Sequence, residues 1–452
     1  MLFSNKSLYK IIIPLFIEQI LAVTIGMLDS VMVSSVGEAA VSGVSLVDTI
    51  NLLLSYIFSA LATGGAVVCS QFLGRKEYGN AKSSAKQLIY SVVFTASFVM
   101  ILTLIFRKPM LSLLFGDVEA DVMGHAQIYF LFTALSYPFL ALYNAGAALF
   151  RSMGNSKISM SVSMIMNLLN VSGNALLIFG FNMGAAGAAL STTFSRIVGS
   201  IIMTALLYNK KNLIYIEKLF SFKPDFKIIK SILGIGIPSG MENGMVQFGK
   251  ILTQSLISTM GTAVIAANSV AGILSSFIYA VGTSIGLTIV TVVGRCVGAG
   301  ENEQAKMYVK KLMKTEYMVL IAVNILLVLF GKLIISMYNL SPYSAELAYK
   351  LLMWHSVFTC TVWAIAFTLP NSFRASSDVR FPMVISITSM WIFRIGFSYL
   401  FVLYFNLGVM GVWFAMFADW IFKGSIFAAR FVSGKWLTKY KPPQASVSDD
   451  NG

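Results

Sequence analysis

The chain has 452 residues, of which 57% are hydrophobic and only 12% are charged. Apolar runs of about 18 residues or more recur along its whole length, which is typical of membrane-spanning helices and excludes a soluble globular protein. The net charge of +14 would suggest nucleic-acid binding in a soluble chain. Here the basic residues lie between the apolar runs, as in the cytoplasmic loops of a membrane protein, so no nucleic-acid partner is expected.

Twelve apolar segments follow one another, and they are apolar on all sides rather than alternating. This pattern favours membrane helices over the strands of a membrane β-barrel. The first segment is longer than the apolar core of a signal peptide and lacks a small-residue cleavage site, so we expect a retained helix. The segments begin near residues 11, 44, 85, 124, 157, 184, 231, 265, 312, 345, 382 and 409.

The chain also repeats itself, because residues 14–87 align without a gap with residues 238–311 at a constant offset of 224. Six helices in each half give both halves the same orientation, so the repeat is parallel. We therefore predict an all-α membrane protein of twelve transmembrane helices in two pseudo-symmetric six-helix lobes. Later pairs repeat with the offset shifted by one residue: Phe150-Arg151 matches Phe373-Arg374, and Phe181-Asn182 matches Phe405-Asn406.

These boundaries predict five regions along the chain. They are an N-terminus at 1–10, a first lobe at 11–207, a polar linker at 208–230, a second lobe at 231–433 and a disordered tail at 434–452. An even number of helices places both termini on one side, and most Lys and Arg residues lie on that side. Both termini are therefore expected in the cytoplasm, and the protein in the plasma membrane as a multi-pass protein.

Four acidic residues are predicted within the spans: Glu18, Asp29, Glu242 and Asp419. An ionised carboxylate at mid-membrane costs roughly 2.5 to 3.5 kcal/mol, so each acid needs a partner or a purpose. Asp29 has no basic neighbour in its own segment, and the repeat places Thr253 opposite it. A lone acid whose charge changes with cation occupancy can couple ion binding to conformation, whereas the alternative is a hydrogen bond to a neighbouring helix.

The other three acids have more ordinary interpretations. Glu18 and Glu242 occupy matching positions in the two halves, which favours a shared structural role, although either could approach a cavity. Lys250 lies two turns beyond Glu242 on much the same face and could help to neutralise it through polar neighbours or water, though not by direct contact. Arg394 could pair with Asp419 across the last two helices.

Asn170 and Asn174 lie four residues apart on the fifth helix and therefore share one face. Their amide oxygens could help to coordinate a cation, but hydrogen bonding between helices is an equally simple role. Pro14 and Pro238 lie near the starts of the first and seventh helices. They could bend these helices, or they could simply begin them.

The sequence does not favour an enzyme. The three cysteines, Cys69, Cys296 and Cys360, have no paired spacing, and only His125 and His355 could join them as soft metal ligands. There is no P-loop motif for ATP. We expect no cofactor.

The sequence contains three glycine-rich motifs. The stretch VGRCVGAGENEQAK at 293–306 and its weaker partner QFLGRKEYGNAK at 71–82 resemble the loop after the second helix of each lobe in the multidrug and toxic compound extrusion (MATE) family. GTAVIAANSVAG at 261–272 resembles the turn between its seventh and eighth helices. The similarity covers residues 11 to about 433.

The resemblance implies a secondary transporter that exports organic, often cationic and amphipathic compounds by alternating access, in exchange for protons or sodium ions. The acid of the first helix takes part in cation coupling in this family, and it matches Asp29. In the DinF-like branch, which this chain resembles more, an asparagine, an aspartate and a threonine join that acid. They match Asn170, Asn174 and Thr192. Since Asn174 replaces a carboxylate, sodium coupling is weakened and protons are favoured.

Other functions remain as alternatives. A flippase for lipid-linked saccharides of the same superfamily would need basic residues facing a pyrophosphate, and only Arg196, Lys250, Arg394 and Lys423 lie in spans. An intramembrane enzyme would need a His, Cys or paired-acid cluster. The expected partners are small organic substrates and the lipid bilayer, and the protein is expected to function as a monomer.

Overall fold

The computed structural model describes residues 2–116, 118–217, 221, 223–338, 340–440 and 442, and this part of the chain is helical without a β-strand. Twelve helical segments follow one another, which matches the predicted number. They are α1 (Asn5–Ser34), α2 (Glu38–Gly74), α3 (Tyr78–Phe115), α4 (Ala120–Leu135 and Tyr137–Ser152), α5 (Ser156–Gly180), α6 (Gly184–Leu207), α7 (Phe226–Ser258), α8 (Thr262–Gly298), α9 (Asn302–Ser336), α10 (Pro342–Ala375), α11 (Arg380–Leu403) and α12 (Gly408–Val432).

Most of these segments suit a membrane. Among the described residues, ten are long and apolar enough to cross one, and α4 makes eleven if its two halves, bent by 47°, form one span. The remaining segment, α7, has 33 residues but carries polar side chains such as Glu242 and Lys250. The predicted all-helical, multi-pass membrane fold is confirmed.

The repeat seen in the sequence reappears in the backbone. Lys76 and Gly300, which are 224 residues apart, both follow a long helix and both have positive φ, 63° and 76°. Asn182 and Asn406 match in the same way, each with a φ of 53°. Glycine and asparagine are the residues that adopt this left-handed conformation most readily. Matching turns therefore end matching helices in the two halves.

The chain divides into two compact units, Phe3–Gly240 and Met241–Lys441, which we call the N-terminal unit and the C-terminal unit. The division falls inside α7 because the first half of this helix packs against α2. A Cβ atom added to Gly64 would lie 2.6 Å from the carbonyl oxygen of Ile232, so only glycine permits this approach. The predicted limits of the lobes and the linker stay predictions, and residues 218–220 and 222 lie outside the described residues.

Pro14 and Pro238 lie inside α1 and α7, several residues after each helix begins. Neither proline therefore starts its helix, and a bend at these positions stays a prediction. At the other end of the chain, residues 435–439 form turns in which Trp436 is fully buried. Residues 441 and 443–452 of the predicted tail lie outside the described residues.

Candidate ion-coupling site

The site is centred on Asp29, a half-buried residue near the end of α1. The side-chain nitrogen of Asn174 on α5 donates a hydrogen bond of 2.7 Å to Asp29 Oδ1. Asn174 itself is 1% exposed, and its own amide oxygen has no hydrogen-bond partner within the described part of the chain. Asp29 therefore accepts a hydrogen bond from helix α5. The sequence left open whether Asp29 couples ion binding to conformation or only makes a hydrogen bond of this kind to a neighbouring helix.

Asn170 lies one turn before Asn174 and also faces Asp29. A carboxylate offers only acceptors at neutral pH, so the amide nitrogen of Asn170 must point toward it. In that orientation the nitrogen lies 2.8 Å and 3.0 Å from the two oxygens of Asp29, and the amide oxygen accepts a hydrogen bond of 3.1 Å from Thr192 Oγ1. The structure therefore brings together Asp29, Asn170, Asn174 and Thr192.

The local form of α5 positions these amides. Asn174 is followed at once by a π-helical turn, Ala175–Gly180, whose wider winding changes the direction of the helix face. Such turns inside α-helices occur frequently at functional sites. Gly173 lets α6 come close, because an added Cβ atom would lie 2.3 Å from Ser191 Oγ. The Ser191 hydroxyl in turn donates to the backbone oxygen of Asn170 at 2.7 Å.

A second acid, Asp48 on α2, belongs to the same region and was missed in the sequence. Tyr129 OH donates to Asp48 Oδ1 at 3.0 Å, and Asp48 interacts electrostatically with Asp29. Its position only four residues after the predicted start of the second segment made it resemble a boundary residue. The repeat offered a signal, since Gly272 stands opposite Asp48 just as Thr253 stands opposite Asp29.

Arg196 on α6 is the basic side chain of this region. It interacts electrostatically with Asp29 and Asp48, while its Nη1 donates a hydrogen bond of 2.7 Å to Ser136 Oγ. Among the described residues, Asp29 forms no ion pair. Its carboxylate is therefore held by amide donors and is not fixed to a neighbouring cation.

Glu18 and Glu242 lie in matching buried clusters of the two units. Glu18 lies 3.8 Å from Arg151 Nη1 and accepts a hydrogen bond of 2.8 Å from Ser159. Glu242 lies 2.7 Å from Arg374 Nη2 and accepts a hydrogen bond of 2.8 Å from Ser386. We call each set a Glu-Arg-Ser cluster. The ion-pair partner of Glu242 is therefore Arg374, and an indirect neutralisation by Lys250 stays a prediction.

Asp419 on α12 is also paired. Its Oδ2 lies 3.1 Å from Lys423 Nζ, one turn along the same helix, and its Oδ1 accepts a hydrogen bond of 2.5 Å from Ser389. The predicted pairing of Asp419 with Arg394 is wrong, because Lys423 on the same helix is closer to Asp419 than Arg394 on α11 is. A pair at spacing i, i+4 was visible in the sequence.

One further acid, Glu316 on α9, was missed. It is fully buried, and Thr368 Oγ1 donates to its Oε1 at 2.7 Å. Its second oxygen has no hydrogen-bond partner within the described ranges. The repeat places Val92 opposite Glu316, so it is another acid without a counterpart.

The groups at this site are of the kind that can bind a cation reversibly. No group of three or more His, Cys, Asp or Glu side chains in the described part of the chain could hold a metal ion. The groups around the site are instead the carboxylates of Asp29 and Asp48 and the neutral amides of Asn170 and Asn174. Each amide can turn and so present either its N–H groups as donors or its oxygen as an acceptor.

Comparison with known proteins identifies the family. A family model described as MatE matches residues 14–176 and again 238–400. The chain is 28% identical over 442 residues to the uncharacterized transporter YisQ of Bacillus subtilis, covering 96% of this chain and 95% of that protein. It is 25% identical over 439 residues to the probable multidrug resistance protein NorM of Thermotoga maritima, covering 96% and 93%.

A solved structure gives the same fold. The crystal structure of a MATE protein in the bent conformation superimposes with a TM-score of 0.87 at 19% identity, covering 97% of both chains. These comparisons do not separate branches of the family, so the DinF-like resemblance stays a prediction. The repeated match to the family model, over more than half of its residues, shows that this chain belongs to the MATE family of membrane transporters, which are not enzymes.

Proposed function

We propose that this protein exports organic compounds, often cationic and amphipathic, from the cell in exchange for protons or sodium ions. The family and the relatives named as multidrug resistance proteins support the choice of substrate class. The observation that carries the coupling is the half-buried Asp29 carboxylate, which has amide donors from α5 and no ion pair among the described residues.

The coupling step is an exchange of partners at Asp29. When the carboxylate is ionised, the amide nitrogens of Asn170 and Asn174 satisfy it. When a proton or a sodium ion binds to the carboxylate, the bound cation needs oxygen atoms around it instead of N–H donors. The amides must then turn, or α1 must shift relative to α5. Two packings of α1 with different ion occupancy are what alternating access requires.

Both ions are compatible with these groups. A proton needs only the Asp29 carboxylate. A sodium ion would need several oxygen ligands, and the buried Asn174 oxygen without a hydrogen-bond partner could supply one of them. The absence of a carboxylate at position 174 favours the proton.

The proposed setting is the plasma membrane, with both termini in the cytoplasm and the protein acting as a monomer in the bilayer. The repeat makes the two lobes of one chain the moving parts, so a second copy is not needed for alternating access. The high content of Lys and Arg in the loops on the side of the termini supports this orientation.

The test uses purified protein in lipid vesicles with ethidium as the transported probe. A proton gradient and a sodium gradient are imposed separately, and dye movement is followed by fluorescence. We expect one gradient to drive transport by the wild type and by Asp121→Asn, an exposed aspartate of α4. Asp29→Asn is expected to stop it.

Two results would contradict the proposal. Unchanged transport by Asp29→Asn would remove Asp29 from the mechanism. Dye movement that follows neither gradient would rule out antiport.

A further inference from the structure

The segment between α6 and α7 packs onto the first turns of α3 in the N-terminal unit. The side-chain nitrogen of Gln87 donates a hydrogen bond of 2.8 Å to the backbone oxygen of Lys223. One turn further on, Tyr90 OH donates a hydrogen bond of 2.9 Å to the backbone oxygen of Ser221. This face of α3 is therefore covered by the chain itself.

The matching turns of α9 in the C-terminal unit are exposed. At the offset of 224 residues, Lys310 matches Lys86 of α3, and Lys314 matches Tyr90. Lys86 and Tyr90 are half-buried, and the Nζ atom of Lys86 lies 5.8 Å from the centre of the Tyr90 ring. Lys310 and Lys314 are both exposed to the surroundings of the protein. We call these two residues the lysine pair of α9.

Acidic side chains of α9 do not balance the lysine pair. Glu303, two turns earlier on the same side of the helix, lies 2.8 Å from Lys306 Nζ. Glu316 is fully buried, so it does not share the exposed face. Among the described residues, neither Lys310 nor Lys314 forms an ion pair. Their i, i+4 spacing makes them neighbours on the helix surface, so one phosphate group can contact both ammonium groups.

An apolar stripe continues the same side of α9 after the lysine pair. Met318, Ile321 and Ile325 follow Lys314 at helical spacing, and they are 54%, 44% and 54% exposed. Residues 317–331 include no charged side chain, as expected where a helix enters the lipid. Lysines at the end of such a span extend toward the lipid headgroups. This side of α9 therefore offers two cations at headgroup level and an apolar surface beyond them.

We propose that the lysine pair and the apolar stripe form a binding site for an anionic phospholipid. Lys310 and Lys314 hold the phosphate of the headgroup, and the acyl chains lie along the stripe. The matching face of α3 lacks such a site, because the chain covers it and Tyr90 replaces the second lysine. The inference goes beyond the proposed function, since it concerns a lipid partner and depends on neither the exported compound nor the coupling ion.

The experiment measures lipid bound to the purified full chain in a neutral detergent by native mass spectrometry. The protein is titrated with phosphatidylglycerol and, separately, with phosphatidylethanolamine that has the same acyl chains. We expect phosphatidylglycerol to bind more tightly. The double variant Lys310→Gln, Lys314→Gln should lower the ratio of the two affinities roughly twentyfold, since each lysine near an anionic lipid surface contributes about a fivefold gain.

Matched variants control for indirect effects. Lys310→Arg with Lys314→Arg keeps both charges and should keep most of the preference for phosphatidylglycerol. Lys332→Gln with Lys350→Gln removes two exposed lysines, from the other end of α9 and from α10, and should leave the ratio at the wild-type value. Lys86→Gln tests the covered counterpart on α3 and should change the ratio little. Because the ratio compares two lipids on one preparation, partial unfolding does not mimic the expected result.

Three results would overturn the inference. One is an unchanged ratio in the double glutamine variant. Another is an equal loss in Lys86→Gln, which would show that the preference does not depend on the exposed pair of α9. The third is loss of bound phosphatidylglycerol when ammonium phosphate replaces ammonium acetate at equal ionic strength, which would assign the lysines to a free anion instead of a lipid.

Discussion

The two units share a structural cluster but differ in the charges beyond it. Each has a buried Glu-Arg-Ser cluster, built from matching helices, with Glu18 in one unit and Glu242 in the other. Beyond that cluster the N-terminal unit has Asp29 and Asp48 with Arg196 nearby, whereas the C-terminal unit has Lys250, Arg394 and Lys423 with Asp419 paired to the last of them. The comparison teaches that duplication preserved the paired groups that hold the helices together, while the other charged groups inside the helices diverged.

The difference extends to the surroundings of the matching positions. Asp29 has the amides of Asn170 and Asn174 beside it, but the corresponding stretch of α11 contains Phe393, Arg394 and Phe397. Thr253, opposite Asp29 in the repeat, donates its hydroxyl to the backbone of its own helix. The stretch of α11 that corresponds to Asn170 and Asn174 therefore offers no amide to an acid at position 253.

The largest effect is expected from exchanging the two repeat equivalents. The double variant Asp29→Thr, Thr253→Asp should reduce ion-driven ethidium transport in vesicles to the level of vesicles without protein. The reason is that position 253 lacks amide partners that can satisfy both charge states. Recovery of coupled transport by the exchange would show that the two units are interchangeable.

A large loss of stability is expected when the Glu-Arg-Ser clusters are broken. Arg374→Ala leaves Glu242 buried without its partner and should cost about 3 to 5 kcal/mol of unfolding free energy. Arg151→Ala should cost less, because the Arg151 to Glu18 distance is 3.8 Å compared with 2.7 Å. Thermal unfolding in detergent measures both, with the exposed Lys10→Ala as control. Equal or reversed losses would contradict the ranking.

A moderate change in ion dependence is expected from Asn174→Asp. A second carboxylate at the 2.7 Å contact with Asp29 repels the first unless a cation binds between them, and carboxylate oxygens are good ligands for hard cations. Sodium should then stimulate transport more in the variant than in the wild type. Transport rates at fixed pH over a series of sodium concentrations test this, and Asn167→Asp on the same helix is the control.

The smallest effect is expected from Asp48→Asn. Asp48 acts on Asp29 through its charge and without a direct contact, so its removal weakens the attraction for a cation. The proton or sodium concentration needed for half-maximal transport should rise about three- to tenfold. The maximal rate should be retained, whereas a complete loss like that of Asp29→Asn would place Asp48 at the coupling site itself.

Periodicity and internal repetition were enough to predict the fold. Twelve apolar segments and the 224-residue offset give the number of helices and the matching turns, because lipid leaves the backbone few alternatives to helices. Residues in helix interiors that lack a counterpart, such as Asp29, also stood out. Asp48 was not identified as a site residue, because hydropathy alone cannot place the boundary of a span to within a few residues.

Pairing between helices was harder to predict. The partner of Glu242 depends on how the helices rotate against each other, and neither periodicity nor charge encodes this rotation. Arg374 is 132 residues away from Glu242, although the matching Phe-Arg pairs of the two halves had already marked it as repeated. The contact between Asp29 and Asn174 could be expected only from resemblance to the family.

The buried Trp436 has a practical consequence for work on this protein. Its indole packs against Phe373 and Phe431, and its backbone oxygen accepts a hydrogen bond from Ser376. A truncation that removed this tryptophan would expose the end of α10, so fusion tags and fluorescent reporters belong after residue 440.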